Sequence, residues 1–121
     1  MTLSLENYKW KNRLILVFAP DIENDTFREQ LSEFENRQEE ITQRDLLIFK
    51  IYAGSDLESS QVEKFQSEFD VNPDEFCILL IGKDGTVKMR DNKVVSAETV
   101  FDIIDSMPMR QQEMQKNRFK G

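Results

Sequence analysis

The chain contains no histidine. That removes Ser-His and Cys-His nucleophiles, and it removes the imidazole that binds transition metals or moves protons near neutral pH. There is one cysteine, Cys77, so no intramolecular disulfide and no thiolate zinc site can form within the chain. Its surroundings, FCILLI, are apolar, and a buried thiol in such a run is a small hydrophobe with a raised pKa. Glycine and proline are sparse, at 4 and 3 residues. They fall at isolated points, and no linker, repeat or low-complexity segment is present. The longest apolar runs are far too short to cross a membrane. The N-terminal MTLSLENYKWKNR has no basic segment followed by an apolar stretch, so it does not read as a signal peptide. The expected compartment is the cytoplasm, or a secreted or periplasmic location if a leader precedes this sequence.

What is present fits one soluble domain. A length of 121 residues suffices to bury a core without disulfide or metal staples. Hydrophobic content of 39% against 32% charged residues separates it from disordered chains. The net charge of -7 argues against nucleic acid and anionic membrane surfaces as partners, because both require clustered Lys and Arg.

The apolar run Arg13 to Ala19 reads as a strand buried on both faces. Thr26 and Glu29 form a capping box. Phe27, Leu31, Phe34 and Ile41 then recur at helical spacing and predict an amphipathic helix over 26–40. Asp45 to Tyr52 is a second strand. Ser60 and Glu63 form another capping box before Val62, Phe65 and Phe69, which predict a short helix. Phe76 to Ile81 is a third buried strand. Asp84-Gly85 supplies positive-φ residues for a hairpin leading into a fourth strand, Thr86 to Arg90. Ser96 caps a last core helix carrying Val100, Phe101, Ile104 and Met107. Pro108 stops it and suits the first turn of a tail helix over about 108–119, with Met109, Met114 and Phe119 as docking residues.

The order is βαβ, α, ββα and a tail helix. Consecutive βαβ strands run parallel with a right-handed crossover, and the hairpin adds an antiparallel strand. A single four-stranded mixed sheet flanked by helices follows, with its core over about 5–107. This is the thioredoxin-like α/β architecture. In such a fold a dithiol sits at the start of the first helix, where free N–H groups and the helix dipole stabilise a thiolate. Ile22 and Asp25 occupy roughly those two positions here, so the site is degenerate. Asp25 reads as a capping residue. Pro73, three residues before Phe76, reads as a turn proline. The expected function is therefore a non-catalytic interaction or small-ligand-binding module. The alternative is a thiol-dependent oxidoreductase or peroxidase-like enzyme acting through Cys77.

Other motifs give bland readings. Asp21-x-Glu23-x-Asp25 has alternating oxygen ligands, but the sixth and twelfth positions of a calcium loop are Thr26 and Ser32 rather than Gly and Glu. Gly82-Lys83-Asp84-Gly85 lacks the rest of a phosphate loop and reads as the hairpin turn. No cofactor or metal is expected. Tyr8 and Trp10 suit packing over a sheet edge, and their amphipathic rings also suit an interface. Arg110 pairs most simply with Glu113 one helical turn on. Alternatively, Lys88, Arg90 and Arg110 form a binding surface, with Arg90 and Arg110 close together facing an acidic protein partner or small anion.

Several segments together resemble a known family: Tyr8-Lys9-Trp10-Lys11-Asn12-Arg13, Leu14 to Pro20, Arg44-Asp45-Leu46, Leu80 to Arg90 and Ile104 to Met114. It is the DUDES-type domain of unknown function (DUF4174-like), found in small bacterial proteins and in vertebrate secreted proteins with sushi repeats or coiled-coil segments. The resemblance covers about 5–114. It implies a thioredoxin-like, peroxiredoxin-related fold with no assigned catalytic residue. The family-like residues Lys83, Asp84, Gly85, Lys88, Arg90 and Met107 to Arg110 fall on the hairpin and tail, away from the thiol loop. A shared site is expected where those segments meet.

Overall fold

The computed structural model describes residues 3–120, with side chains described as far as residue 116; Phe119 lies outside the described side chains. Four strands form one sheet in the order β2-β1-β3-β4. They are β1 (Arg13–Ala19), β2 (Leu46–Tyr52), β3 (Cys77–Ile81) and β4 (Val87–Asp91). β1 pairs parallel with β2 and antiparallel with β3, and β3 pairs antiparallel with β4. The helices are α1 (Asp25–Phe34), α2 (Gln38–Gln43), α3 (Ser59–Glu68), α4 (Ala97–Asp105) and α5 (Pro108–Lys120), after a 3-10 turn at Leu5–Tyr8. This is the expected mixed sheet flanked by helices.

The central position of β1 explains why its sequence does not alternate. All seven of its residues are buried, because each face of the sheet is covered. Ile15, Val17 and Ala19 join Phe27, Phe34, Ile41, Val100, Phe101 and Ile104 beneath α1, α2 and α4. Leu14, Leu16 and Phe18 join Val62, Phe65 and Val71 beneath α3. Each fully buried Leu, Ile or Phe contributes about 1.5–3 kcal/mol, so the two layers supply most of the stabilisation. β2 is an edge strand and buries fully only Leu46 and Ile51, although its sequence is apolar apart from Lys50.

Local expectations needed correction in four places. The helix predicted over 26–40 is two helices, broken where Asn36 takes φ 62, a conformation asparagine tolerates better than most residues. The first cap is Asn24 rather than Thr26: its side chain accepts from the Phe27 N–H at 2.9 Å, leaving Asp25 as the first helical residue. α3 starts at Ser59 with Glu58 as its N-cap residue and no side-chain cap bond, so the Ser60 capping box does not form. The hairpin is wider than a two-residue turn. Strand pairing stops at Ile81 and Val87, and Gly85, at φ 84, takes the positive-φ position. The Ser96 cap forms as expected, accepting from Thr99 N–H at 3.1 Å.

Candidate functional site

β1 joins two poles of the molecule. Its C-terminal end, Ala19, leads into the loop where thioredoxin-like enzymes keep their thiols. There the chain places Ile22, half exposed at 51%, and Asp25, the first residue of α1. The loop is closed by ordinary polar contacts: Asp21 Oδ1 accepts from Glu23 N–H at 2.8 Å, and Arg28 bridges to Glu23 at 2.8 Å. Cys77 lies opposite Phe18 in the β1–β3 register and is 5% exposed. Burial pushes its thiol pKa up, and the nearby Arg90 charge opposes this only in part. The described peptide bonds are all trans, and Pro73 sits in the turn before β3.

The N-terminal end of β1 is chemically richer. Arg13 is 1% exposed and donates from Nη1 to the Arg44 carbonyl at 2.9 Å. It grips Glu113 of α5 with both Nη groups, at 3.2 and 3.0 Å. Lys83, from the hairpin turn, donates to Glu113 at 2.8 Å and to Asp45 at 2.9 Å. Beside them Arg44 is bidentate on Asp105, at 3.1 and 2.8 Å, and lies over the Phe101 ring at 4.5 Å. Arg110 donates to the same Asp105 at 3.0 Å and to the Gln43 carbonyl at 3.0 Å. Burial pushes Glu113 and Asp105 upward, but hydrogen bonds from Arg13 and Lys83, and from Arg44 and Arg110, outweigh it and hold both carboxyls below their ordinary values. Strand β1, the α2–β2 junction, the hairpin and the α4–α5 corner are thus tied at one point.

The hairpin and tail segments therefore do meet, through Lys83 and Glu113. The three singled-out cations do not come together. Arg90 and Arg110 lie on opposite faces of the sheet, each bonded to groups within the chain. Arg90 donates to the Phe69 carbonyl and, at 2.6 Å, to the Asp70 carbonyl, closing the end of α3 on one face. Arg110, only 6% exposed, is committed to Asp105 on the other. Its separation from Glu113 is 3.9 Å, so the expected pair is its weakest contact. Lys88 stands in the β3–β4 bulge and bridges to Asp84 at 2.9 Å. That bond, with the Thr86 N–H and hydroxyl, holds the Asp84 carboxyl down to about 2.

A cleft of about 570 Å³ opens against this cluster, between the hairpin and the start of α5. Arg13, Lys83, Asp84 and Lys88 line its polar side; Trp10, Ile103, Met107 and Met109 line its apolar side. Trp10 is 61% exposed and held at φ 68, with its backbone N–H donating to the Lys83 carbonyl at 2.6 Å. Among the described residues no group of three or more Cys, Asp or Glu side chains is placed to hold a metal, and no described helix is long and apolar enough to cross a membrane.

Sequence reasoning missed Arg13, Arg44, Asp45, Asp105 and Glu113 as parts of one site. The available signal was Arg13 itself, an arginine at the head of the otherwise apolar run Arg13 to Ala19: buried arginine requires partners.

Comparison with known proteins agrees with this architecture. The family profile described as "Domain of unknown function (DUF4174)" matches residues 4–113. The zebrafish (Danio rerio) protein "Coiled-coil domain-containing protein 80" is 28% identical over 139 aligned residues, which cover 92% of this chain. The chain spans only 16% of that protein's length. Among solved structures, the reduced 2-Cys peroxiredoxin of Plasmodium vivax superimposes with a TM-score of 0.68 at 12% identity, covering 91% of this chain and 85% of the other. Plasmodium yoelii thioredoxin peroxidase I gives 0.68 at 14% identity, covering 91% and 80%. At such identities the likeness shows a shared fold.

Proposed function

The chain belongs to the DUF4174 family of domains of unknown function, and from that premise we propose that it is a thioredoxin-like binding module without thiol turnover. The observation that carries this reading is the content of the loop after β1. By the order of elements, Ile22 and Asp25 fall at roughly the positions of a dithiol in a thioredoxin-like fold, and the one thiol, Cys77, is buried on a strand. Neither residue can attack a peroxide or a disulfide, and burial keeps Cys77 protonated at neutral pH. The cleft beside Trp10 and Lys88 supplies a binding surface instead, and its volume falls in the ~300–1,000 Å³ range of ligand sites. The partner is a small ligand or a protein segment. Nucleic acid and anionic membrane are disfavoured by the net charge of -7.

Peroxide consumption with a dithiol reductant, and reduction of a disulfide peptide, test the reading on the purified protein. Native protein and Cys77→Ala are expected to match buffer in both assays. Turnover that disappears in Cys77→Ala would replace this reading with a thiol enzyme.

A further inference from the structure

The cleft between the hairpin and α5 combines two kinds of wall. We propose that it binds a small organic anion with an apolar body, the charged head toward Lys88 and the first turn of α5 and the body against Trp10, Ile103 and Met107. This rests on the binding-module reading and names its ligand class.

Local charge runs against that of the whole chain. The charged side chains that line the cleft are Arg13, Lys83, Lys88 and Asp84. Three cations thus stand with one carboxylate along its wall, in a protein whose net charge is -7. Charges beyond about 8–10 Å are screened in physiological salt, so this local surplus decides what enters.

Two sets of donors are left open. Arg13 lines the cleft, and its Nε–H is buried without an acceptor, although both of its Nη groups are used. An acceptor seated on the cleft floor would satisfy it. The second set belongs to α5. The first intrahelical bond shown at its start runs from Gln111 N–H to the Met107 carbonyl at 2.9 Å, and the first turn holds no acidic residue. The Met109 and Arg110 amides thus sit above the hydrogen-bonded turns, at the positive end of the helix dipole. Ser106 does not cap them, because its hydroxyl donates to the Ile103 carbonyl at 2.7 Å.

The apolar wall fixes the rest of the ligand. Trp10 is the only tryptophan, and it is exposed at the rim in a backbone conformation that costs a non-glycine residue energy. A core role does not account for an indole that is 61% exposed. Covering it with the apolar part of a ligand, together with Met107 and Met109, does.

Because Trp10 is the only indole, its emission reports on the cleft directly. Octanoate is titrated into the native protein, with octylammonium and inorganic phosphate as probes of opposite charge and of no apolar body. Amide NMR shifts are recorded in parallel. Octanoate is expected to give a saturable change localised to Trp10, the hairpin and the start of α5, with octylammonium and phosphate at least tenfold weaker. Lys88→Ala should weaken octanoate about fivefold. Lys64→Ala, the same charge change on the far face, should leave it within twofold. Equal response to octanoate and octylammonium, equal effects of the two lysine variants, or no saturable response by either method overturns the proposal. Failure here with peroxide and disulfide assays still silent removes the ligand class alone; thiol turnover removes the parent reading.

Discussion

Removing the Glu113 carboxylate tests whether the buried ion cluster holds α5 and the hairpin to the sheet. The carboxylate accepts from Arg13 at 3.2 and 3.0 Å and from Lys83 at 2.8 Å, with Arg110 at 3.9 Å. Glu113→Ala leaves an Arg13 that is 1% exposed with one acceptor, the Arg44 carbonyl. Breaking a buried pair in this way costs about 3–5 kcal/mol. The Glu113 side chain is 24% exposed, so entering water recovers part of this, and about 2–3 kcal/mol is expected. With a urea slope of roughly 1–3 kcal/mol/M, the unfolding midpoint should fall by about 0.7–3 M. The double variant Arg13→Met with Glu113→Leu should cost less than the two single changes combined, because it removes the stranded charge.

The pH dependence has a definite sign. The folded value of Glu113 lies below its ordinary one, so its contribution is fully present above the unfolded value of about 4.3 and is lost as pH falls through the folded value. The gap between native protein and Glu113→Ala should therefore be constant at neutral pH and close below about pH 4. A midpoint shift worth under about 1 kcal/mol, with no coupling to Arg13, would place the cluster among solvent-screened surface pairs and refute the reasoning.

Two further outcomes follow from buried or strained backbone. Gln30→Leu should destabilise by about 2–4 kcal/mol in urea unfolding. The fully buried Gln30 amide donates to the Val95 carbonyl and accepts from its N–H, both at 2.8 Å, and an effect under about 1 kcal/mol would mean that water or a loop shift satisfies Val95 instead. Gly85→Ala should lower stability by about 1–2 kcal/mol in thermal unfolding. The cost is conformational, since Gly85 is at φ 84 while an added Cβ meets nothing nearer than the Lys9 side chain at 3.5 Å; an unchanged melting temperature would contradict it.

The sheet was legible because each strand is a short apolar run bounded by polar or turn residues. β1 and β3 are buried at every position, and that pattern survives any uncertainty about partners. Helix boundaries were less legible, for local reasons. Asn24 and Thr26 are both competent caps, and sequence does not reveal which one takes the Phe27 amide. The break at Asn36 leaves no signal stronger than an asparagine in a polar stretch. The ion cluster was nearly invisible, because its partners are remote in the chain. Arg13 and Glu113 are 100 residues apart and Arg44 and Asp105 are 61 apart. Local pairing rules pointed Arg110 at Glu113, whereas the fold gives Arg110 to Asp105 and Glu113 to Arg13 and Lys83.

The placement of the cluster bears on what the fold is for. A buried ion network is a weak device for stability alone, since well-packed apolar residues of similar volume often do as well or better. What such a network can add is register: each guanidinium donates only in particular directions. Here Arg13 fixes α5 against β1, Lys83 fixes the hairpin against α5 and the α2–β2 junction, and Arg44 and Arg110 fix the α4–α5 corner. Those contacts set the two walls of the cleft beside Trp10. The segments through which the sequence resembles its family, around Trp10-Arg13, Arg44-Asp45, the hairpin and the α4–α5 corner, converge on this pole. The pole that carries thiol chemistry in related folds holds Ile22 and Asp25, with no side chain able to do it. Precision is thus concentrated at the end of β1 that shapes a cleft, and the proposed binding role rests on that end.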